Sequence, residues 1–236
     1  MKERLDKIIA SQTSMSRADV KRAVKAGRVS VDGLVVSASD IKIDGEVNEI
    51  VLDGKRLNFC RFVYIMLNKP AGYVSASRDG REPTVVELAP QEYRSRALFP
   101  AGRLDKDTTG FILLTDDGDF AHKILSPKNH IDKTYIVTLQ REVSPEELKQ
   151  ITDGMLLGEE HFLPASLKKI EGLTYEIVLR EGKYHQIKRM FASQGNAVLA
   201  LKRIKMGRLP LDESLSEGET RLLTEAELKL IEQKED

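Results

Sequence analysis

The residues best suited to chemistry lie in one polar loop near the middle of the chain. Residues 101–110 read Ala-Gly-Arg-Leu-Asp-Lys-Asp-Thr-Thr-Gly, and an apolar run, 111–114, follows them. Donors and positive charge surround Asp105 in this stretch, from Arg103, Lys106, Thr108 and Thr109. Such neighbours favour an ionised carboxylate, which can act as a nucleophile, a general base or a stabiliser of charge. The spacing alone also fits a structural Asx turn, so that alternative stays open.

Other chemical motifs are absent or incomplete. No G-x-x-x-x-G-K-[ST] and no strand-borne G-x-G-x-x-G is present, so we expect no nucleotide cofactor. The segment 116–119, Asp-Asp-Gly-Asp, lacks the spacing and terminal Glu of a calcium loop and is expected to cap a helix. The single cysteine, Cys60, excludes a thiolate cluster or a disulfide within the chain and favours a reducing cytoplasm. The histidines lack metal-ligand spacing, so we expect no metal: His122, His130, His161 and His185.

The charges of the chain balance overall but are segregated. The 236 residues include 37 Lys and Arg against 37 Asp and Glu, with 41% hydrophobic residues, which is typical of a globular protein. Net charge is +5 over residues 1–28, +7 over 180–208 and −6 over 212–236. Two basic blocks favour a polyanionic partner, although each block alone also fits a solvated surface. Apolar runs are strand-sized, as in 62–67, so we expect no membrane partner.

The first 45 or so residues have the pattern of a small module. Apolar residues repeat at helical spacing over 5–9, and Ser16-x-x-Asp19 has the spacing of a capping box that starts a second helix. Gly27 is placed to end that helix in the left-handed conformation, and Asp32-Gly33 predicts a type I′ hairpin.

Basic residues of the second helix recur every four residues and share one face, which fits either phosphate binding or a plain exposed helix. The candidate phosphate contacts in the module are Arg4, Lys7, Arg17, Lys21, Lys25 and Arg28.

From residue 61 the pattern changes to longer strands. The strands are predicted at 62–68, 72–77, 111–115, 133–139, 161–170, 174–180 and 197–206. The helices are predicted at 119–125, 144–150, 184–193 and 224–233, with Ser144-Pro-Glu-Glu147 and Thr224-x-x-Glu227 as helix starts. The sequence therefore predicts an α+β protein with domains at 1–60 and 61–236, the second built on a mainly antiparallel, mixed sheet.

Two resemblances cover nearly the whole chain. Arg4-Leu-Asp-Lys7, Ser16-Arg17 and Gly27-Arg-Val-x-Val-Asp-Gly33 resemble the S4 RNA-binding fold. Gly102-Arg-Leu-Asp-x-x-Thr-x-Gly110 is similar to the signature of pseudouridine synthases. Three further segments match one branch of that family: Met66-Leu-Asn-Lys-Pro-x-Gly-Tyr73, Lys133-Thr-Tyr135 and Glu181-Gly-Lys-Tyr-His-Gln-Ile-Lys-Arg-Met-Phe191.

The resemblance implies a reaction and three roles. Such enzymes detach uracil from its ribose, rotate it and rejoin it through carbon 5, with no cofactor and no metal. Asp105 falls on the family's nucleophile, Tyr135 on the tyrosine that packs on the base, and Lys188 on the basic partner of the aspartate. Helix geometry independently places Lys188 about 100° from Ile187, at the edge of the expected apolar stripe. The alternatives are a core tyrosine and a surface lysine.

A base inside a stack cannot reach a carboxylate, so the substrate nucleotide must be extruded or unpaired, and phosphate contacts can offset that cost. The candidate contacts in the second domain are Arg103, Arg189, Lys202, Arg203 and Lys205.

The segments 203–207 and 222–228 resemble most closely the family members that modify the 5′ domain of 16S rRNA. We therefore expect 16S rRNA or a small-subunit assembly intermediate as partner, and a cytoplasmic monomer. A 23S rRNA site is the alternative within the family. A non-catalytic RNA-binding assembly factor is the alternative outside it, although such a protein has no need of Asp105.

Overall fold

The structure is a computed structural model and describes residues 2–126, 128–129 and 131–233. His130, for which we expected no metal, and residues 234–236 of the acidic C-terminal stretch therefore lie outside the described residues. The chain divides into two units. One comprises the chain up to Val63 together with Ala89–Leu98, and the other comprises Tyr64–Leu88 together with the chain from Phe99 onward.

Short strands and two helices make up the first unit. Its elements are β1 (Glu3–Arg4), α1 (Leu5–Gln12), α2 (Arg17–Lys25), β2 (Val29–Val31), β3 (Leu34–Val35), β4 (Lys42–Ile43), β5 (Ile50–Leu52), β6 (Lys55–Arg56) and a 3-10 helix (Gln91–Tyr93). Strands β3-β2-β5-β6 form an antiparallel sheet in that order, and β1 pairs with β4.

The sequence signals of this unit are found in the structure. Ser16 and Asp19 form a reciprocal capping box at the start of α2. Gly27 follows the helix with φ +70°, in the left-handed region. Asp32 and Gly33 both have positive φ, 50° and 79°, as a type I′ turn between β2 and β3 requires. The apolar stripes of α1 and α2 and the inner side of β2 share one core.

The second unit carries the longer strands. Its first elements are β7 (Tyr64–Lys69), a 3-10 helix (Val85–Leu88), β8 (Phe99–Ala101), β9 (Thr109–Thr115), α3 (Gly118–Leu125), β10 (Lys133–Leu139), α4 (Pro145–Asp153), β11 (Met155–Leu157) and β12 (Glu160–Phe162). The remaining elements are β13 (Ser166–Glu171), β14 (Thr174–Leu179), α5 (Gln186–Ser193), β15 (Val198–Met206), β16 (Leu209–Pro210), β17 (Thr220–Leu222) and α6 (Glu225–Glu232).

One mixed sheet organises this unit, which confirms the predicted α+β fold. Its strand order is β13-β14-β10-β15-β9-β7-β17, with β8 paired to β9 and β16 paired to β15. Strands β15 and β9 are parallel, with Arg203 opposite Gly110, and the other paired strands are antiparallel. Because Arg203 is also opposite Tyr135 of β10, the register places the end of the Asp105 loop two strands from Tyr135.

Side-chain caps stand at the start of α3, α4 and α6. Ser144 and Thr224 each form a reciprocal capping box with the glutamate three residues later, and Pro145 is the first residue of α4. The side chain of Asp117 accepts a hydrogen bond from the Phe120 amide, so the acidic segment caps α3 as expected. Among the described helices, none is long and apolar enough to cross a bilayer.

Two predicted strands differ from the structure. Residues 72–77 form no strand, since Val74 makes only an isolated parallel bridge to Thr84 and the Gly72 amide bonds to the carbonyl of Lys106. The predicted strand 161–170 is split into β12 and β13. Pro164 has no amide hydrogen to donate, and the amide of Leu163 bonds to the Glu181 carboxylate at 2.8 Å.

The first unit also contains a segment that the sequence analysis did not assign to it. Residues 89–98 lie within the part of the chain expected to form the second domain. In the structure the Ser95 hydroxyl donates to the carbonyl of Ala10 at 3.1 Å, and the Arg96 guanidinium donates to the carbonyl of Arg61 at 2.6 Å. Only contacts between segments distant in sequence define this assignment, so local patterns could not predict it.

The close approach of β9 to β15 requires a glycine at position 110. Gly110 has φ +98°, and a Cβ atom there would lie 2.9 Å from the Arg203 amide nitrogen and would overlap the Arg203 carbonyl oxygen. We predict that Gly110→Ala lowers the free energy of unfolding by about 2–5 kcal/mol, because it combines left-handed strain with backbone overlap. Urea unfolding measures the change. The control is Gly80→Ala, where a Cβ atom meets nothing within 4 Å; equal stability of the two variants would contradict this account.

Candidate active site

The loop that carries Asp105, residues 102–108, joins β8 to β9 and is held from behind by a buried lysine. Lys69, the last residue of β7, has no exposed surface. Its ammonium donates hydrogen bonds to the carbonyl oxygens of Lys106 at 3.1 Å and Thr108 at 2.8 Å. These bonds fix the backbone on the C-terminal side of Asp105 to the central sheet.

The other side of the loop is fixed by a serine. The Ser75 hydroxyl donates to the Leu104 carbonyl at 2.7 Å and accepts from the Leu104 amide at 3.0 Å, so it binds both polar groups of the residue before Asp105. The Gly72 amide adds a bond to the Lys106 carbonyl at 2.8 Å. The loop is therefore positioned by backbone contacts on both sides of Asp105, which leaves its carboxylate at the surface, 23% exposed.

The cation beside Asp105 comes from α5. The Lys188 ammonium lies 3.1 Å from Asp105 Oδ2 and 2.5 Å from Asp107 Oδ1, so one lysine links two carboxylates of the loop. The adjacent apolar residues of α5 are buried as the sequence predicts: Ile187, Met190 and Phe191. Burial of such side chains contributes about 1.5–3 kcal/mol each, which anchors the helix and hence the stem of Lys188.

Electrostatics favour the charged forms of Lys188 and Asp107. Burial alone lowers the pKa of Lys188, but its hydrogen bonds to Asp107 and Asp105 outweigh that effect and raise its pKa above the ordinary value. The hydrogen bond from Lys188 likewise lowers the pKa of Asp107, against a smaller opposing effect of burial. Lys188 is thus a cation throughout the neutral range, within contact of the Asp105 carboxylate.

The sequence analysis placed the surrounding charges differently. It expected Lys106 to contribute positive charge to Asp105, but the Lys106 ammonium pairs with Glu82 at 2.7 Å. It also expected Arg103 beside the carboxylate, and the structure places Arg103 as an exposed side chain of the loop. The nearest cation, Lys188, lies on a helix far along the chain, which local spacing could not reveal.

A histidine that the sequence analysis set aside also lies in the site. His185 Nε2 is 3.4 Å from Asp105 Oδ1. His185 precedes α5 with φ 47° and ψ 35°, so the helix begins at Gln186 rather than at Tyr184 as predicted. One sequence signal could have indicated that His185 belongs to the site: it lies in the segment 181–191, which also contains Lys188. Across the described residues, no three His, Cys, Asp or Glu side chains are grouped to hold a metal.

Tyr135 lies on β10 at the centre of the sheet and is 7% exposed. It stands opposite Ile177 of β14 on one side and Arg203 of β15 on the other. Since Arg203 is also opposite Gly110, Tyr135 and the end of the Asp105 loop lie at the same level of the sheet, with β15 between them.

Two buried cations accompany Lys69 in the sheet. Burial lowers the pKa of both Lys69 and Lys133 to about 8, and the charge of Arg203 adds to both shifts. Arg203 itself is 1% exposed, and its Nε donates to the Phe111 carbonyl at 2.6 Å. This corrects the expectation that Arg203 contacts phosphate at the surface, because its guanidinium is directed into the sheet. Lys202 and Lys205 on the same strand are only half-buried, and nothing in the sequence of β15 marks Arg203 as the fully buried cation.

Ion pairs engage most of the candidate phosphate contacts of the first unit. Arg4 and Arg17 both bind the buried carboxylate of Asp6, at 2.8 and 3.0 Å. Lys7 pairs with Glu3 and Arg28 with Asp53. Lys21 and Lys25 are exposed on α2, and neither makes an ion pair within the described part of the chain. These two lysines are thus the most available cations of the predicted set.

The second unit offers fewer free cations than expected. Arg189 pairs with Glu160 at 2.6 Å and lies 5.0 Å above the ring of Phe162. Lys202 and Lys205 are half-buried on β15.

Comparison with known proteins shows the family of the chain. A sequence model of the family described as RNA pseudouridylate synthase matches residues 63–193, which include the Asp105 loop, Tyr135 and α5. The chain belongs to this family and is an RNA pseudouridine synthase.

Individual relatives match over nearly the full length. A protein of Yersinia pestis named ribosomal small subunit pseudouridine synthase A is 44% identical, over 97% of each chain. Its namesake in Escherichia coli is 42% identical, over 97% of this chain and 99% of the relative. A Bacillus subtilis protein named uncharacterized RNA pseudouridine synthase YtzG is 43% identical, over 97% and 98%. A solved structure described as that of a pseudouridylate synthase is 39% identical, with a TM-score of 0.69 over 97% of this chain and 99% of that chain.

Ser75 provides a test of how the loop is held. We predict that Ser75→Ala lowers kcat for pseudouridine formation by about 10- to 100-fold with little change in KM, since small displacements of a reacting group have effects of that size. Ser75→Thr keeps the hydroxyl and is expected to recover most of the activity. The matched control is Ser77→Ala, because Ser77 is exposed and its side chain bonds to no described residue. Wild-type kcat in Ser75→Ala would show that Leu104 needs no such support.

Proposed function

We propose that the protein converts one uridine to pseudouridine in the 5′ domain of 16S rRNA, with Asp105 as the nucleophile. The observation that carries the proposal is the Asp105 carboxylate, partly exposed on a fixed loop with the Lys188 ammonium 3.1 Å away. The 16S target is supported by the relatives named ribosomal small subunit pseudouridine synthase A, which match 97% of this chain. The proposal includes a monomer that acts in the cytoplasm.

The chemistry requires one bond to be exchanged for another. The bond between uracil N1 and ribose C1′ breaks, a bond from C5 to C1′ forms, C5 loses a proton and N1 gains one. A carboxylate can serve as the transient partner of either the uracil ring or the anomeric carbon, and both routes need it ionised and within bonding reach. Lys188 keeps the carboxylate oriented, since it binds Oδ2 of Asp105, while Oδ1 lies 3.4 Å from His185 Nε2.

Tyr135 is proposed to pack against the extruded uracil and to take part in moving the proton from C5. Its support is the sheet register, in which Tyr135 and Gly110, at the end of the Asp105 loop, both pair with Arg203 of the intervening strand β15. Extruding a base costs a few kcal/mol, so the enzyme must bind the flanking phosphates firmly enough to offset that cost.

The first unit is proposed to be an S4-like RNA-binding module. Support comes from its two helices, its hairpin and the exposed Lys21 and Lys25 on α2. In the second unit, Arg103 at the Asp105 loop and Lys202 and Lys205 on β15 are proposed to bind phosphate. A tethered second module raises the effective concentration of the catalytic unit at its RNA without contacting the reacting base.

Tritium release tests the proposed reaction. With 16S transcript or immature small subunits labelled with tritium at uridine C5, we predict release by the wild-type protein. We predict a loss of more than about 10³-fold in Asp105→Asn, with RNA affinity within a few-fold of wild type, since a nucleophile acts in the chemical step. A 23S transcript in parallel distinguishes the two rRNA targets.

The matched control for that experiment is Asp107→Asn. Asp107 contacts the same ammonium but its side chain is 74% exposed, so we expect a much smaller loss. Equal losses in the two variants would indicate that Asp105 only positions Lys188. Full activity of Asp105→Asn would refute the assignment of the nucleophile.

The salt dependence of binding tests the first unit. We predict that Lys21→Gln/Lys25→Gln weakens RNA binding and reduces the slope of log K against log salt by about 2, because each phosphate contact releases counterions. Filter binding across a salt series measures the slope. Lys7→Gln is the control, since Lys7 already pairs with Glu3 at 2.7 Å and is expected to change the slope less. An unchanged slope in the double variant would contradict phosphate binding by this face of α2.

A further inference from the structure

An exposed aromatic ring lies beside the candidate nucleophile. The ring of Tyr184 stacks on the imidazole of His185, with centroids 3.9 Å apart and planes 16° from parallel. Tyr184 is 68% exposed, so the rest of its surface faces solvent. The chain has 6% aromatic residues and no tryptophan, so few side chains are available for stacking on a ligand.

The stacked pair is connected directly to the site. One edge of His185 faces Asp105, with Nε2 3.4 Å from Oδ1, and one face of its ring is covered by Tyr184. The imidazole therefore separates the tyrosine ring from the carboxylate. A base that stacks on Tyr184 cannot be the base that reacts with Asp105, but it can belong to an adjacent nucleotide.

The backbone of the pair is held on both sides. The amide side chain of Gln186, 4% exposed, accepts from the Lys183 amide at 3.2 Å and donates to the Glu181 carboxylate at 2.8 Å. The Tyr184 carbonyl accepts from the Arg189 guanidinium at 3.3 Å. These contacts maintain the left-handed conformation of His185, which is strained for a residue other than glycine. The ring of Tyr184 is thus presented to solvent from a fixed turn.

Folding does not explain this arrangement. An aromatic side chain stabilises a protein mainly through the apolar surface that it buries, and Tyr184 leaves about two thirds of its surface in water. A flat, pre-positioned aromatic face is, by contrast, the recurring feature of sites that bind unpaired bases, because every base has a π face that can stack on it.

We propose that Tyr184 and His185 form a stacking platform for the RNA base adjacent to the target uridine. This proposal rests on the proposed function and deepens it. The extruded uridine occupies the carboxylate side of His185, and its neighbour stacks on the free face of Tyr184. The platform replaces part of the stacking that the neighbour loses when the target leaves the helix, and it fixes the neighbour relative to Asp105.

Binding of short RNA probes tests the platform in the full-length protein. The probes are uridine monophosphate and a trinucleotide with 2-aminopurine between two uridines, whose fluorescence reports stacking. We expect quenching on binding to wild type. In Tyr184→Ala we expect loss of quenching and about tenfold weaker trinucleotide binding, in line with base–aromatic stacking. Binding of uridine monophosphate is expected to stay within twofold, since it has no neighbouring base.

Two further variants separate stacking from general effects on structure. Tyr184→Phe keeps the ring and is expected to retain both quenching and affinity. Ile170→Ala removes a side chain that is 52% exposed on β13, and it is expected to behave as wild type. The proposal would be overturned if Tyr184→Ala quenched the fluorescence as strongly as wild type. It would also be overturned if the wild-type protein produced no quenching.

Tritium release by the wild-type protein on rRNA, measured in parallel, reports on the proposed function separately. Quenching that depends on Tyr184 without tritium release from 16S or 23S rRNA would support the platform while refuting the reaction on those targets. Tritium release without quenching that depends on Tyr184 would support the reaction and refute the platform.

Discussion

The arrangement of the site depends on one lysine that pairs with two carboxylates of a segment far away in the sequence. The Lys188 ammonium lies within 3.1 Å of Asp105 and 2.5 Å of Asp107, and it links the loop after β8 to α5. A carboxylate at a partly exposed position is free to rotate unless a charged partner holds it. Lys188 can hold the carboxylate because the buried apolar stripe of α5 fixes the helix. The carboxylate stays within reach of Lys188 because the backbone of its loop is anchored.

That anchoring comes from the sheet. Lys69 is buried at the end of strand β7, and it makes hydrogen bonds to the loop carbonyls where solvent cannot compete for them. The parallel pairing of β9 and β15 then fixes the C-terminal end of the loop, because Gly110 lets the two backbones approach closely. Ser75 completes the support at Leu104. The second unit thus fixes the backbone around Asp105 and leaves its side chain accessible.

Local sequence patterns predicted the features that depend on local physics. The capping boxes at Ser16, Ser144 and Thr224, the turn at Asp32-Gly33 and the apolar stripe of α5 are all present, since each is set by residues within a few positions of one another. The resemblance to pseudouridine synthases predicted the family.

Features that depend on distant contacts were not predictable in this way. The partner of Lys106 is Glu82, Arg203 is directed into the sheet, and 89–98 belongs with the first unit. His185 was set aside because its spacing fits no metal site, whereas its position in the structure follows from a left-handed turn that no sequence period indicates. In each case the deciding contact joins segments whose proximity only the folded chain determines.

The central claim is that Asp105 is held within bonding reach of an extruded uridine. A crystal structure of Asp105→Asn with an RNA that contains the target uridine measures this directly, because the amide keeps the shape of the side chain without its charge. The account predicts an extruded uridine against Tyr135, with its reacting carbon about 3–3.5 Å from the side-chain oxygen at position 105. A uridine that remains stacked in the RNA, or that binds away from this loop, would contradict the account.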